Sequence, residues 1–298
     1  MTALAQNWAG LVAELPWLWP LVATVLGLMV GSFINVVAHR LPIMLQAEWR
    51  AECQALLAAE GLAVTLPETE PCNLAVPASR CPTCRQPIRP WHNLPLLGYA
   101  LLRGRCHHCR QPIGLRYPLV ELAGGLLAAV VAWQLGWTAQ AGAALVFGWT
   151  LLALMVIDLD HQLLPDRLTL PLLWLGLLAN ATGLWVPLAD AVWGAVAGYS
   201  LLWSVFWLFK WATGKEGLGY GDFKLLAALG AWLGWQQLAL VVVLSSVAGA
   251  LTGVALIALQ RHDRGTPLPF GPFLATAGWV ALLWGEPLVQ SYLQFTGW

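Results

Sequence analysis

Two aspartates, Asp158 and Asp222, stand where long apolar stretches meet polar residues. Asp158 follows the apolar run 151–157, and Asp222 closes the sequence Gly-Tyr-Gly-Asp at 219–222. Acidic residues at such places are costly and are therefore functional candidates. The alternatives are that Asp158 is a solvated helix end and that Asp222 is a helix N-cap. An N-cap position would not exclude a catalytic role for Asp222. Two carboxyls at one depth suit aspartyl proteolysis, in which an ionised acid activates water and a protonated partner polarises the scissile carbonyl.

Three further acidic residues lie near the same boundary, and the sequence leaves their roles open. Glu121 falls one turn into an apolar stretch, where pairing with an arginine and contact with a ligand are both reasonable. Asp160 is a loop residue beside a histidine. Asp166 follows a proline and precedes an arginine, a position that favours a helix cap.

Six cysteines occur in the chain, and four of them form two Cys-x-x-Cys pairs. The pairs are Cys81 with Cys84 and Cys106 with Cys109. Each pair is followed by Arg-Gln-Pro-Ile, so the two form an internal repeat. Two such pairs can supply four thiolates in the tetrahedral arrangement of a structural zinc site. Two disulfides or a redox pair are the alternatives, and a reducing cytoplasm disfavours disulfides.

The composition indicates that most of the chain lies in lipid rather than water. The residues are 59% hydrophobic and 10% charged, and the mean hydropathy is +0.67. A soluble domain usually carries about 25% charged residues. The formal net charge is zero, so no overall field draws the chain to nucleic acid. Little aromatic interleaving flanks the cysteine pairs, and we expect no nucleic-acid partner.

Apolar runs of roughly 20 residues, the length that crosses a bilayer core, set the expected architecture. Seven runs are long enough, and an eighth at 223–235 is short, which leaves open whether it crosses the membrane completely. The seven runs are 17–38, 118–136, 140–157, 168–186, 190–210, 237–259 and 271–292. A polar insert, 40–116, separates the first two runs. The sequence therefore predicts an all-α polytopic membrane protein with about eight transmembrane helices and a small cytoplasmic zinc-ribbon-like insert.

The positions of lysine and arginine predict the orientation of these spans. Nine of the fifteen basic residues are arginines of the insert. They are Arg40, Arg50, Arg80, Arg85, Arg89, Arg103, Arg105, Arg110 and Arg116. With the insert in the cytoplasm and eight spans, the other six basic residues, Arg167, Lys210, Lys215, Lys224, Arg261 and Arg264, fall on the same side. Both termini are then expected on the opposite, periplasmic side, and Asp158 and Asp222 at the cytoplasmic face.

These motifs, in this order, resemble the bacterial type IV prepilin peptidases, which are bifunctional leader peptidases and N-methyltransferases. The resemblance covers essentially the whole chain. It rests on the two cysteine pairs, the Gly-x-Gly-Asp motif and the segments 31–37, 116–121, 157–161 and 164–166. It implies catalysis by Asp158 and Asp222 and a structural zinc ion on Cys81, Cys84, Cys106 and Cys109.

The resemblance also implies how the chain is used. The substrates would be type IV prepilins and pseudopilins, cut after a glycine at the cytoplasmic face of the inner membrane. The new N-terminal residue would be methylated with S-adenosyl-L-methionine, for which the sequence shows no Rossmann-like loop. On this view residues 1–39 form the first transmembrane helix, 40–116 the cytoplasmic insert and 117–298 the transmembrane aspartyl protease core. The methyl-donor residues, the particular pilins and the oligomeric state stay open.

Two other classes of protein compete with this interpretation. A transporter also carries intramembrane acids and glycine-broken helices, but its acids usually lie near the midplane and its spans usually repeat. A structural component of a secretion apparatus is the second alternative. Serine hydrolysis is disfavoured because no Ser and His pair falls at matching depth. Zinc hydrolysis is disfavoured because four cysteine ligands leave no open coordination position.

Overall fold

The computed structural model describes residues 10, 12, 14–62, 72–215, 217–259 and 268–296. Arg261 and Arg264, on which part of the predicted orientation rests, lie outside the described residues. The helices are α1 Leu18–Ala59, α2 Leu97–Leu101, α3 Arg116–Leu135, α4 Ala139–His161, α5 Asp166–Ala181, α6 Leu188–Thr213, α7 Tyr220–Leu233, α8 Leu238–Ala258 and α9 Gly271–Thr296. Two short 3₁₀ turns occupy Pro90–Asn93 and Trp235–Gln237. Within these ranges the only β structure is two isolated bridges, so the all-α prediction is confirmed.

Every predicted span is a helix in the structure. Among the residues that the structure describes, six helices are long and apolar enough to cross a membrane: α1, α3, α4, α6, α8 and α9. The other two are shorter. Helix α5 has 16 residues and α7 has 14, which correspond to about 24 Å and about 21 Å at 1.5 Å per residue. The hydrocarbon core is about 30 Å thick. The run predicted at 168–186 stops at Ala181 because the chain turns at Gly183, whose φ is +72°.

Helix α1 extends well beyond its expected end near residue 38. It continues to Ala59, through the first part of the predicted polar insert. Alanine, leucine, glutamate, glutamine and arginine dominate residues 45–59, and these are strong helix formers even where they are not buried. The insert therefore begins as helix rather than as a separate folded lobe.

The chain forms two compact units, one of residues 21–129 and one of residues 130–298 with the N-terminal residues to 20. In the first unit, α1 and α3 pack through glycines. A Cβ atom at Gly124 would lie 2.7 Å from the carbonyl oxygen of Gly27 and 3.0 Å from the Cα atom of Gly31. Gly27 and Gly31 are four residues apart on α1, the small-residue spacing that lets membrane helices approach closely.

Replacing Gly124 by valine is expected to lower the Tm of the protein in detergent. The added side chain must push α1 away from α3, and overpacking of this kind costs about 1–3 kcal/mol or more. Gly142→Val in α4 is the matched control, because a Cβ atom at Gly142 meets nothing within 4 Å. Equal shifts in Tm for the two variants would show that the α1–α3 contact is not tight.

In the second unit, α7 is the central helix, packed by α5, α6 and α9. All residues from Phe223 to Leu233 except Lys224 are buried. The indole N–H of Trp232 donates to the carbonyl of Leu172 at 2.8 Å, and the Asn180 amide donates to the carbonyl of Ala231 at 2.8 Å. A helix that is apolar all round lies either in lipid or inside protein. Here the neighbouring helices enclose α7, so a helix of 14 residues can lie inside the unit.

Candidate active site and metal centre

Asp158 lies near the end of α4 and is only 5% exposed. Its Oδ2 atom accepts a hydrogen bond from the backbone N–H of Gly271 at 3.0 Å. Gly271 is the first residue of α9, so this carboxyl lies at the amino end of a long helix, where a negative charge is favoured. A Cβ atom at Gly271 would come within 2.6 Å of the same oxygen. Only glycine therefore permits this approach without displacement of the carboxyl group.

Asp222 lies in the first turn of α7 and is 7% exposed. The N-cap of the helix is Gly219, and Asp222 is the third helical residue. The Asp222 carboxyl accepts a hydrogen bond from the Gly219 N–H at 3.2 Å, which is the reverse half of a capping box. The alternative that Asp222 is itself the N-cap is therefore wrong. The bond turns the carboxyl back over the glycine-rich turn that precedes the helix.

The structure brings the two predicted aspartates together. Asp158 is near enough to act electrostatically on the Asp222 carboxyl, and one buried side chain, Leu164, packs against the glycine beside each carboxyl. A Cβ atom at Gly221, next to Asp222, would lie 2.7 Å from the Leu164 Cβ atom. A Cβ atom at Gly271, the partner of Asp158, would lie 3.2 Å from Leu164 Cδ2. Leu164 belongs to the turn between α4 and α5. This turn therefore packs against the backbone at Gly221 and at Gly271, beside the two carboxyls.

The other acids near this boundary have different surroundings. Asp166 does not cap α5, whose N-cap is Pro165; that prediction is wrong. Asp166 is instead the first helical residue, and both of its oxygens accept from the Lys224 ammonium at 2.7 Å. This ion pair joins the start of α5 to the second turn of α7. Asp160 is exposed in the last turn of α4, so it lies in the helix and not in a loop.

Glu121, in the first unit, binds a backbone group. Its Oε2 atom accepts from the N–H of Leu96 at 2.8 Å. Leu96 has a φ of +57°, a strained conformation for a residue with a branched side chain. The carboxylate of α3 therefore holds a turn of the insert in a conformation that the turn would rarely adopt alone.

The four paired cysteines form one cluster in the same unit. The sulfur atoms of Cys81, Cys84, Cys106 and Cys109 all lie within 4.8 Å of one another. The Sγ atoms of Cys81 and Cys109 are 3.8 Å apart, and those of Cys84 and Cys106 are 4.0 Å apart. A tetrahedral ion with bonds of about 2.3 Å requires sulfur separations of about 3.8 Å. All six cysteines are free thiols, so the disulfide alternative is wrong, and the four sulfurs can hold a metal ion.

The two Cys-x-x-Cys turns have the same local structure, as their repeat predicts. Arg85 and Arg110, which follow the second cysteine of each pair, have φ values of 56° and 60°. The first cysteine of each pair donates its N–H to the glutamine carbonyl five residues later, at 3.0 Å and 2.9 Å. Amide N–H groups, that of Cys84 foremost, lower the pKa of the Cys81 thiol to about 6. A thiolate is the form that binds metal.

Three residues of the acid site were not found from the sequence. Lys224 looked like an ordinary basic residue, and Leu164 stood out only as part of segment 164–166, with no role of its own. Gly271 is separated from Asp158 by 113 residues, and only its place just before a proline at the start of a span hinted at a role.

The helices and the acid pair together define a class: polytopic membrane proteins in which two buried aspartates meet at helix ends. The bacterial peptidase A24 N-terminal domain matches residues 25–135, and the type IV leader peptidase family matches residues 145–254. Proteins named prepilin leader peptidase/N-methyltransferase are similar over nearly the whole chain. The protein from Stutzerimonas stutzeri is 57% identical over 95% of this chain and 97% of its own length. The one from Pseudomonas aeruginosa is 56% identical over 96% and 97%, and the one from Xanthomonas campestris is 44% identical over 91% and 93%.

This chain therefore belongs to the type IV leader peptidase family. No solved structure matches it at a significant level.

Proposed function

We propose that this chain is a membrane aspartyl endopeptidase that removes the leader of type IV prepilins and pseudopilins and then N-methylates the new N-terminal residue. The observation that supports the peptidase activity is the pair of buried carboxyls of Asp158 and Asp222, whose neighbouring glycines, Gly271 and Gly221, both pack against Leu164. Relatives that carry this activity in their names are 56–57% identical over at least 95% of the chain, which supports both the cleavage and the methylation.

Asp158 and Asp222 would share one proton, because two carboxyls in one buried site do not readily ionise together. The ionised carboxyl takes a proton from a water molecule, and the water oxygen attacks the scissile carbonyl carbon. The protonated carboxyl donates to the carbonyl oxygen as negative charge develops there. Collapse of the tetrahedral intermediate breaks the C–N bond, and the proton passes to the departing amine. The amide N–H groups of Gly271 and Gly219 orient the two carboxyls throughout.

A substrate for this site must arrive in the membrane. A prepilin has a short basic leader, which stays in the cytoplasm, and an apolar helix, which lies in the bilayer. The bond between them then falls at the level of a site formed at helix ends on the cytoplasmic face. The orientation expected from the basic residues, with periplasmic termini in the bacterial inner membrane, agrees with this placement. Cleavage after a glycine, as in the family, would suit extended backbone in a narrow site.

The four clustered cysteines would hold a structural Zn²⁺ ion. Four thiolates fill a tetrahedral site, so the ion supplies folding energy and no open position for a substrate. S-adenosyl-L-methionine is the expected methyl donor. The described residues contain no parallel sheet with a glycine-rich loop, so the soluble Rossmann type of donor site does not fit them, and no residue is assigned to this cofactor.

The experiment uses the purified protein in nanodiscs with a prepilin that carries a basic leader. The mass of the product is measured with and without S-adenosyl-L-methionine. Loss of a leader-sized fragment is expected in both cases, and an added methyl group only with the donor. A precursor with its last leader glycine replaced by valine is the matched control and should stay intact. An uncut natural precursor would contradict the peptidase assignment, and a cut but unmethylated product would contradict the methyltransferase assignment alone.

Gly271→Ala is expected to slow leader cleavage by about 10- to 100-fold, because a displacement of about 1 Å in a reacting group can cost 10²-fold. The added methyl group would clash with the Asp158 carboxyl at 2.6 Å. The initial rate of cleavage in nanodiscs measures the effect. Gly253→Ala is the control, since a Cβ atom there meets nothing within 4 Å. Equal rates in the two variants would mean that Gly271 does not position Asp158.

A further inference from the structure

The insert carries a group of exposed apolar side chains that no described residue covers. Trp91, Leu94, Leu97 and Leu101 are 56%, 49%, 62% and 73% exposed. Leu97 and Leu101 lie on α2 at i and i+4, so they share one face of that helix. A patch of large apolar residues on a folded surface indicates a partner or a membrane.

The backbone of this segment is compact. The N–H of Gly98 donates to the carbonyl of Leu94 at 2.8 Å, and the N–H of His92 donates to that of Arg89 at 2.9 Å. Gly98 packs directly on the backbone of His92. Residues 90–101, called the interfacial segment below, therefore form one small unit that carries all four exposed apolar side chains.

Glu121 fixes the depth of the interfacial segment. The N–H of Leu96 lies 2.8 Å from the carboxylate of Glu121, which is five residues into membrane helix α3. Five residues of helix correspond to about 7.5 Å. Helix α3 has 20 residues, or about 30 Å, so nearly all of it is needed to cross the hydrocarbon core. This puts Leu96 about 7.5 Å below the level of Arg116, the charged first residue of α3, within the depth of about 5–10 Å to which interfacial helices enter the boundary between headgroups and acyl chains.

The charges around the interfacial segment also favour a lipid surface. Residues 72–115 contain six arginines and no aspartate or glutamate. The Arg89 guanidinium lies over the Trp91 ring, 5.7 Å from its centroid, and Arg103 and Arg105 are exposed. Arginine side chains beside buried apolar groups reach outward to headgroup phosphates, and tryptophan is enriched at this boundary.

We propose that the interfacial segment lies in the headgroup region of the membrane, with Trp91, Leu94, Leu97 and Leu101 against the acyl chains, and that Glu121 sets this depth. The insert would then be attached to the membrane surface as well as to two helices. A protein partner is the competing occupant of the same leucines, but the depth set by Glu121 and the acid-free flanks favour lipid.

A photo-crosslinking amino acid, p-benzoylphenylalanine, introduced in place of Leu97 or Leu101 tests the proposal. The full chain is placed in nanodiscs of phosphatidylcholine and phosphatidylglycerol, irradiated and digested, and the adduct mass is read for each labelled peptide. Phospholipid adducts at both positions are expected. The same label at Gln111, an exposed position of the second cysteine turn, is the control and should give several-fold less. Equal yields at the three positions, or protein adducts formed only with a prepilin present, would overturn the proposal.

The role of Glu121 is tested with two substitutions in the chain labelled at Leu101. Glu121→Gln keeps a carbonyl oxygen that accepts the Leu96 N–H, whereas Glu121→Leu removes it. The lipid adduct yield is expected to be unchanged in the first variant and several-fold lower in the second. Equal yields in both variants would show that Glu121 does not set the depth. The measurement reads lipid contact and not cleavage, so it is independent of the proposed enzymatic activity.

Discussion

Asp158→Asn and Asp222→Asn are each expected to lower the rate of leader cleavage by about 10²- to 10⁴-fold, the contribution of a positioned acid or base. An amide has nearly the shape of the carboxyl and its oxygen still accepts the N–H of Gly271 or Gly219. It cannot take a proton from water or donate one as an acid does. The loss should therefore appear in the chemical step while the fold is kept. Single-turnover cleavage of a prepilin in nanodiscs measures it.

Two controls separate loss of chemistry from loss of structure. Asp160→Asn alters an exposed acid two residues from Asp158 and should cut at nearly the rate of the natural protein. The double variant, with both Asp158 and Asp222 replaced, should be about as slow as either single variant, because residues that act as a unit lose activity non-additively. If both single variants cut normally, the aspartyl mechanism is wrong, and a transporter or a structural component becomes the better description.

Apolar run length predicted much of the helical architecture, because lipid demands long apolar helices. Two helices need a further explanation: α7, whose crossing of the membrane the sequence left open, and α1, which is longer than predicted. Helix α7 is apolar all round, but it is enclosed by protein, and a helix that does not face lipid on its own need not match the thickness of the bilayer. Helix α1 outruns its apolar part because residues 45–59 keep helical propensity after hydrophobicity ends.

The acid pair was predictable only in part. Topological depth put Asp158 and Asp222 at one level, since each stands at the polar end of an apolar run. Their hydrogen bonds were not predictable. The donor to Asp158 is a backbone N–H 113 residues away, and a backbone N–H leaves no mark in residue type. The only sign of this hydrogen bond in the sequence is the glycine at position 271. The reason for a glycine there is clear only from the structure, in which a Cβ atom would clash with the Asp158 carboxyl oxygen.

The cysteine cluster was the easiest feature to predict, and Glu121 one of the hardest. Each Cys-x-x-Cys turn places its own two sulfurs close together. The cluster of four sulfurs within 4.8 Å therefore requires only that the two turns lie side by side. Glu121 binds the main chain at Leu96, and its partner depends on a turn with positive φ that leucine seldom adopts. From the sequence, an arginine or a ligand was considered as the partner of Glu121, and the partner found in the structure is a main-chain N–H.

Cys106→Ser is expected to remove the bound zinc and to loosen residues 72–115. In that range only Cys81, Gly98 and Gly104 are buried, so almost no apolar core holds the fold. Structural zinc in small peptides binds with about 10–16 kcal/mol at pH 7, far more than such a core supplies. A serine hydroxyl is neutral at this pH and is not among the usual ligands of zinc.

Elemental analysis of the purified protein is expected to give one zinc ion per chain in the natural protein and in Cys53→Ser, a control that changes an exposed thiol of α1. Cys106→Ser should retain little zinc, and trypsin should cut faster after its arginines at 85, 105 and 110. Four thiolates leave the ion no open coordination position. Leader cleavage by Cys106→Ser should therefore decrease only in proportion to the fraction of protein whose insert is unfolded. Full zinc occupancy in Cys106→Ser would contradict the tetracysteine site. Loss of cleavage in a zinc-free variant whose helices and tryptic pattern are unchanged would instead give the ion a part in the chemistry.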